Sequence, residues 1–298
     1  MEIRILETPA EMAEMEELQR LVWPGSETEV VPLHLLITAA HNGGLALGAF
    51  EGGKMVGFVF GFPGLYEVPD PAGERGASGP RIKHCSHMLG VLPGLRDSGI
   101  GFALKRAQWQ VVRKQGIDRV TWTYDPLQSR NAHLNIARLG AVCNTYLREV
   151  YGEMRDELNA GLASDRFQVD WWVNTQRVER RLGRKPRGEL GIINYDSALI
   201  PRVYRVTIGA DSLLRPPEHF SIPGESILLA EIPSDFMQIR QADFPLAAAW
   251  RASTRQVFEA CFGLGYLVTD FIYERESRRS YYVLTHGQAI LGDFTVQK

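Results

Sequence analysis

Residues 91–107 read VLPGLRDSGIGFALKRA. A strand-like apolar stretch, RIKHCSHMLGV, runs into this segment, and two glycines spaced G-x-G open a helix predicted over 99–115. Glycine inside a helix costs about 1 kcal/mol relative to alanine. Two of them at a helix start therefore call for a reason. The first N–H groups of a helix have no partner within it, and the helix dipole adds partial positive charge there. Without a Cβ, Gly99 and Gly101 let an anion approach those groups. The alternative reading is a plain capping turn. The Walker pattern is absent, and a Rossmann fingerprint fails because Leu104 stands at its third glycine.

The chain has 298 residues, enough for two domains of roughly 150 residues each. A formal net charge of −2 supplies no basic excess for nucleic acid or an anionic membrane. No apolar run approaches the roughly 20 residues of a membrane span. The N-terminus, MEIRILETPAEMAEMEELQR, lacks a signal-peptide h-region, so a cytoplasmic location is expected. Cys85, Cys143 and Cys261 are scattered and odd in number, which implies no disulfide framework.

Alternation predicts a strand over 2–7, followed by an amphipathic helix opened by Thr8-Pro9 and carrying Met12, Met15, Leu18, Leu21 and Val22. A short helix is expected over 32–41, then a hairpin of strands 45–51 and 54–62 about Gly52-Gly53. Residues 63–80 hold four prolines and four glycines and read as a long loop. Strand 82–92, the 99–115 helix, strand 118–124, helix 130–139 and strands near 142–150 and 166–173 follow. Ile100, Ala103, Leu104, Ala107 and Val111 are expected to line the inner face of the 99–115 helix. Residues 174–190 are polar and basic and read as a linker. Strands near 202–208 and 226–232, a helix over 242–262 and a hairpin of 265–273 and 280–286 complete the chain.

Val91, Pro93, Arg96, Gly99, Gly101 and Ala103 satisfy V-x-P-x-x-R-x-x-G-x-G-x-A. This string closely resembles the acyl-CoA-binding motif of the GCN5-related N-acetyltransferase (GNAT) superfamily. The element order of 1–173 and the later RNAHLNIARLGA segment resemble that family too, most of all a two-domain subgroup described as predicted acetyltransferases. The resemblance implies an α/β (α+β) fold, a GNAT-like mixed and partly splayed sheet flanked by helices. It implies an acyl-CoA-binding domain at 1–173, the linker at 174–190, and a smaller α+β domain at 191–298 that reads as a diverged GNAT-like half. The implied activity is an N-acyltransferase that takes acetyl-CoA or another acyl-CoA, such as succinyl-CoA, as co-substrate. The implied partner is a small-molecule amine, an amino acid among the candidates, with no metal, nucleic acid or membrane involved. The second domain could close over the amine site, carry a homodimer contact or support the first. A CoA-binding regulatory or degenerate module without turnover is the alternative.

By the same resemblance, Leu89 and Val91 offer backbone groups to the pantetheine arm, and Gly90 between them suits a bulge. Arg96, Asp97, Ser98, Gly99, Ile100 and Gly101 surround the pyrophosphate, and Asn131 matches a position near the arm. Strand alternation places Cys85, His87, Leu89 and Val91 on one face and His84 on the other. Cys85 stands where histone-type members carry a catalytic Glu. His87, for which a packed, hydrogen-bonded strand histidine is the alternative, matches a place where an arylalkylamine-type member carries a catalytic His, and the resemblance makes it the candidate base. An imidazole with a pKa near 6.5 suits that role. Ile136 stands near the place of the family's usual acid, a Tyr; Tyr124, at the end of its strand, is the candidate substitute, and a thiolate that leaves unassisted is the alternative. Asp125 reads as a cap for the next turn. Lys105 and Arg106 are expected on the solvated side of the phosphate helix, within reach of a 3′-phosphate. Of each pair Trp171-Trp172 and Tyr281-Tyr282, one ring is expected to pack and one to cover a domain joint. Arg130, Arg166, Arg202 and Arg251 are candidate carboxylate clamps for an amino-acid substrate.

Overall fold

A computed structural model describes residues 1–25, 27–68, 79–152, 161–183 and 199–286. The chain divides into two compact units, 1–122 with 172–174, and 123–171 with 175–298. This division passes through a strand between Trp122 and Thr123, whereas the sequence reading sets its boundary after 173.

In the first unit, β1 (Glu2–Ile5), β2 (Leu45–Glu51), β3 (Lys54–Val68) and β4 (Gly79–Val91) form an antiparallel run. β5 (Arg119–Tyr124) then joins β4 in parallel, which makes the sheet mixed. The expected loop at 63–80 is shorter than its composition suggested. β3 and β4 extend through 68 and from 79, pairing Leu65 with Ile82 and Val68 with Gly79. Residues 69–78 lie outside the described residues.

α1 (Pro9–Val22) starts at an N-cap formed by Thr8, whose hydroxyl accepts from Glu11 N–H while the Glu11 carboxylate accepts from Thr8 N–H at 3.0 Å. Its Met12, Met15, Leu18 and Val22 join Leu36 of α2 (Leu33–His41) and Phe50, Phe58 and Phe60 of the sheet in one core. The other face of β3 carries Gly57, whose missing Cβ admits Ile100 and Leu104 of α3 (Ile100–Lys114). Alternation along β3 thus separates α1 and α2 from α3. The buried stripe of α3 is Ile100, Leu104, Lys105, Gln108, Trp109 and Val112. It is turned from the expected stripe, because two of its members are polar.

The second unit holds α4 (Ser129–Ala132), β6 (Val142–Leu147), β7 (Arg166–Trp172) and α5 (Gln176–Leu182). It also holds a small ribbon of β8 (Thr207–Ile208) and β9 (Leu214–Arg215), then β10 (Ile227–Ile232), α6 (Phe236–Ala242), α7 (Phe244–Gly263), β11 (Leu267–Glu274) and β12 (Arg279–Thr285). Its main strands run in the order β7-β6-β11-β12-β10. Two expectations change here, and one is met. The linker at 174–190 contains α5, with 184–190 outside the described residues. The 130–139 helix is α-helical only to Ala132 and becomes a π-helix over His133–Arg138. The expected 242–262 helix is α7, started by the Asp243 carboxylate, which accepts from Leu246 N–H at 2.9 Å; the separate helix before it, α6, has no counterpart in the sequence reading.

Phe167 centres the aromatic core of this unit, edge-on to Phe258 at 4.8 Å and close to Tyr282 at 5.4 Å. Tyr281 and Tyr282 are both buried, on opposite faces of β12, so neither is left exposed. Trp171 is buried with its indole N–H on Leu139 O at 2.8 Å. Trp172, counted with the first unit, stacks edge-on to Tyr66. Among the described residues no helix is long and apolar enough to cross a membrane.

Candidate functional site

The ladder between β4 and β5 has pairs at His84–Val120 and Cys85–Thr121. Beyond them β4 runs on to Val91, paired with β3 and without a further β5 pair among the described residues. A parallel pair that stops midway leaves backbone donors and acceptors on one strand edge, where an extended ligand can add as a strand would.

The chain then leaves β4 through a 3₁₀ turn, Pro93–Leu95, tied by Ser98 Oγ donating to Leu95 O at 2.6 Å. Arg96 reaches away to Val22 O at 3.3 Å. Asp97 and Gly99 both adopt the left-handed conformation, at φ 67° and 88°. Gly99 is the N-cap of α3 and no side chain caps that end. Its φ explains the first glycine, since an L side chain is strained there. Gly101 needs a different explanation. A Cβ at 101 would meet only Leu89 Cδ2 at 3.8 Å and Val91 Cγ2 at 3.9 Å, ordinary contacts. Protein packing therefore does not demand this glycine. The N–H groups of Ile100, Gly101 and Phe102 precede the first helical hydrogen bond, from Ala103 N–H to Gly99 O at 3.0 Å. The start of this 15-residue helix is thus smooth and partly positive. These features fit a diphosphate.

A bulge corrects the strand reading. Phe60 pairs with Met88 and Gly61 with Ser86, so His87 is the extra residue and the irregularity falls there, not at Gly90. Leu89 and Val91 face α3 beside Gly101. His87 faces the other way, with ring centroids 6.3 Å from Phe60 and 5.8 Å from Phe62. Cys85 lies on the His87 side, against Gly64, and Gly90 packs against Phe58. The structure therefore groups Leu89, Val91, Asp97, Ser98, Gly99, Ile100 and Gly101, sends the Arg96 side chain to Val22 O and turns His87 to the opposite face. His87 keeps an exposed edge, while the two phenyl rings desolvate it and lower its pKa below the usual 6.5.

Two titratable groups, His84 and Lys105, lie on the α3 side. His84 is buried, and burial, aided by the Lys105 charge, brings its pKa down to about 4. Lys105 is buried as well, not solvated, and burial lowers its pKa well below the usual lysine value. Helical spacing from Leu104 and Gln108 was the available signal; the charge on Lys105 argued against using it.

Tyr124 and Asn131 belong to the second unit. Tyr124 is buried, and its hydroxyl lies 3.1 Å from that of Tyr282. Tyr282 donates to Pro126 O at 2.8 Å, so the single proton of Tyr124 goes to Tyr282. Burial raises the Tyr124 pKa well above 10. Asn131 is exposed on α4. Asp125 does accept from Leu127 N–H at 2.9 Å, as a turn cap. It also takes Arg251 in a two-pronged pair at 2.8 and 2.7 Å. Among the arginine candidates, Arg251 is committed to that pair, Arg166 is buried, Arg202 lies over the Tyr281 ring and Arg130 is exposed.

Comparison with protein-family models finds no match, and comparison with curated proteins finds none. Solved structures give partial likenesses. An N-acetyltransferase from Staphylococcus aureus Mu50 is 14% identical over 58% of this chain and 98% of its own, with a TM-score of 0.43. An acetyltransferase of the GNAT family from Streptococcus pneumoniae is 15% identical over 57% and 98%, with a TM-score of 0.41. An aminoglycoside 6′-acetyltransferase type Ii is 18% identical over 58% and 97%, with a TM-score of 0.41. Structures of GNAT-family acetyltransferases are therefore among those the chain is similar to.

Proposed function

We propose that this chain is an acyl-CoA-dependent N-acyltransferase of the GNAT superfamily, acting on a small-molecule amine. The observation that carries the reading is the start of α3, where Gly99 supplies a left-handed turn and Gly101 has no packing duty. The N–H groups of Ile100 to Phe102 would hold the diphosphate, and the unpaired edge of β4 from Ser86 to Val91 would hold the pantetheine arm. Acetyl and succinyl donors are both compatible with a backbone-held arm, and an amino acid is one acceptor class. The thioester supplies the acyl group, and the amine attacks it directly. The amine is proposed to approach from the face of β4 opposite α3, where His87 lies beside Phe60 and Phe62 and, kept neutral by its lowered pKa, accepts the ammonium proton. With the Tyr124 proton engaged by Tyr282, the thiolate is proposed to leave without a donor.

The test is thiol release from acetyl-CoA and succinyl-CoA over a panel of amines and amino acids. Turnover should rise with pH through a value below 6.5, the direction in which His87 loses its proton. His87→Gln should reduce it by about 10²–10⁴-fold, the range of general-base catalysis. Coenzyme A binding without turnover on any amine would favour the regulatory module instead.

A further inference from the structure

Lys105 breaks the expectation that lysine stays at the surface. It lies one helical turn past Gly101 and is 2% exposed. Its Nζ donates to Ser86 Oγ at 3.0 Å and to Gln108 Oε1 at 2.7 Å, and stands 3.8 Å from the centre of the Trp122 ring. Ser86 and Trp122 are the residues that follow the last β4–β5 pair, Cys85–Thr121. One amino group therefore ties α3 to both strands at the point where their ladder ends.

Gln108 extends the cluster. Its Nε2 donates to Ser86 Oγ at 3.1 Å and lies 3.1 Å from His84 Nε2. An amide nitrogen only donates, so His84 Nε2 accepts and His84 Nδ1 carries the ring proton. That Nδ1 is buried without a hydrogen-bond partner among the described residues. An apolar side chain at 105 would continue the stripe of Leu104, Trp109 and Val112 at lower desolvation cost. Stability of the fold alone does not call for this lysine.

Resting on the acyl-CoA reading above, we propose that Lys105 is a positioning residue. By holding Ser86 and Trp122 it sets the opening between β4 and β5 that receives the pantetheine arm. The lysine acts on the arm through the strands and leaves the phosphate grip at Gly99–Phe102 untouched.

Lys105→Met keeps the length and the apolar stem while removing the donors. The test compares two ligands by calorimetry: coenzyme A, and adenosine 3′-phosphate 5′-diphosphate, which has the same phosphates and no arm. In the variant, coenzyme A should bind about 10-fold more weakly, the order of one lost charged hydrogen bond, and the armless nucleotide within about twofold of wild type. Ser86→Ala removes one acceptor and should give a smaller loss of the same kind, so the proposal stays testable if Lys105→Met folds poorly. Equal losses for both ligands, or none for either, would overturn the positioning role. A wild-type protein that binds neither ligand would instead sink the acyl-CoA reading itself.

Discussion

Gly101→Asp is expected to abolish measurable coenzyme A binding while leaving the protein as stable as before. The fold tolerates the change because a Cβ at 101 meets only ordinary contacts with Leu89 and Val91. A carboxylate in the first turn of α3 also interacts favourably with the helix dipole, by about 0.3–1 kcal/mol. The same carboxylate occupies the place assigned to the diphosphate and repels it. The dissociation constant should rise by at least about 100-fold, or about 2.7 kcal/mol, with the melting temperature unchanged or slightly higher. Calorimetric titration and a thermal melt on one preparation read both. Undiminished affinity would mean that the ligand, if any, sits elsewhere.

Asp125→Ala is expected to have the largest effect on stability. The carboxylate and Arg251 are both buried in the second unit and make two hydrogen bonds of 2.8 and 2.7 Å. Removing one partner strands a buried guanidinium, which costs about 3–5 kcal/mol. The cap on Leu127 N–H is lost as well. Asp125→Ala with Arg251→Met should recover much of the loss, because the stranded charge is removed too. Burial by itself would raise the Asp125 pKa, but the charge and hydrogen bonds of Arg251 outweigh it, and the folded value lies below the usual 3.8. The pair's contribution is therefore complete above the unfolded pKa of about 3.9 and falls as pH drops through the lowered value. Urea denaturation at neutral pH checks the first part: a change under about 1 kcal/mol would contradict the account.

Much of the fold was legible where periodicity and punctuation agree. Thr8-Pro9 capped α1 as written, Gly52-Gly53 turned the first hairpin, and the G-x-G start of α3 fell one residue from its predicted place. Alternation set His84 opposite Cys85 and His87 as found, but the faces of Leu89 and Val91, beyond the bulge, were not legible. Alternation assumes an unbroken pleat, and the bulge at His87 breaks it without a glycine or proline to announce it. The inner stripe of α3 was misplaced for another reason: Lys105 and Gln108 lie on it but satisfy each other. A search for apolar residues passes over such a pair. Likewise the partnership of Asp125 with Arg251 joins residues 126 apart in sequence, and no local pattern records it.

If backbone N–H groups at the start of α3 grip a diphosphate, bound coenzyme A shields them from solvent. Amide hydrogen exchange of residues 99–103, followed with and without saturating coenzyme A, measures those groups directly. Exchange at Ile100, Gly101 and Phe102 should slow markedly on addition of ligand. Unchanged exchange at these three amides in a protein shown to have bound coenzyme A would contradict that grip.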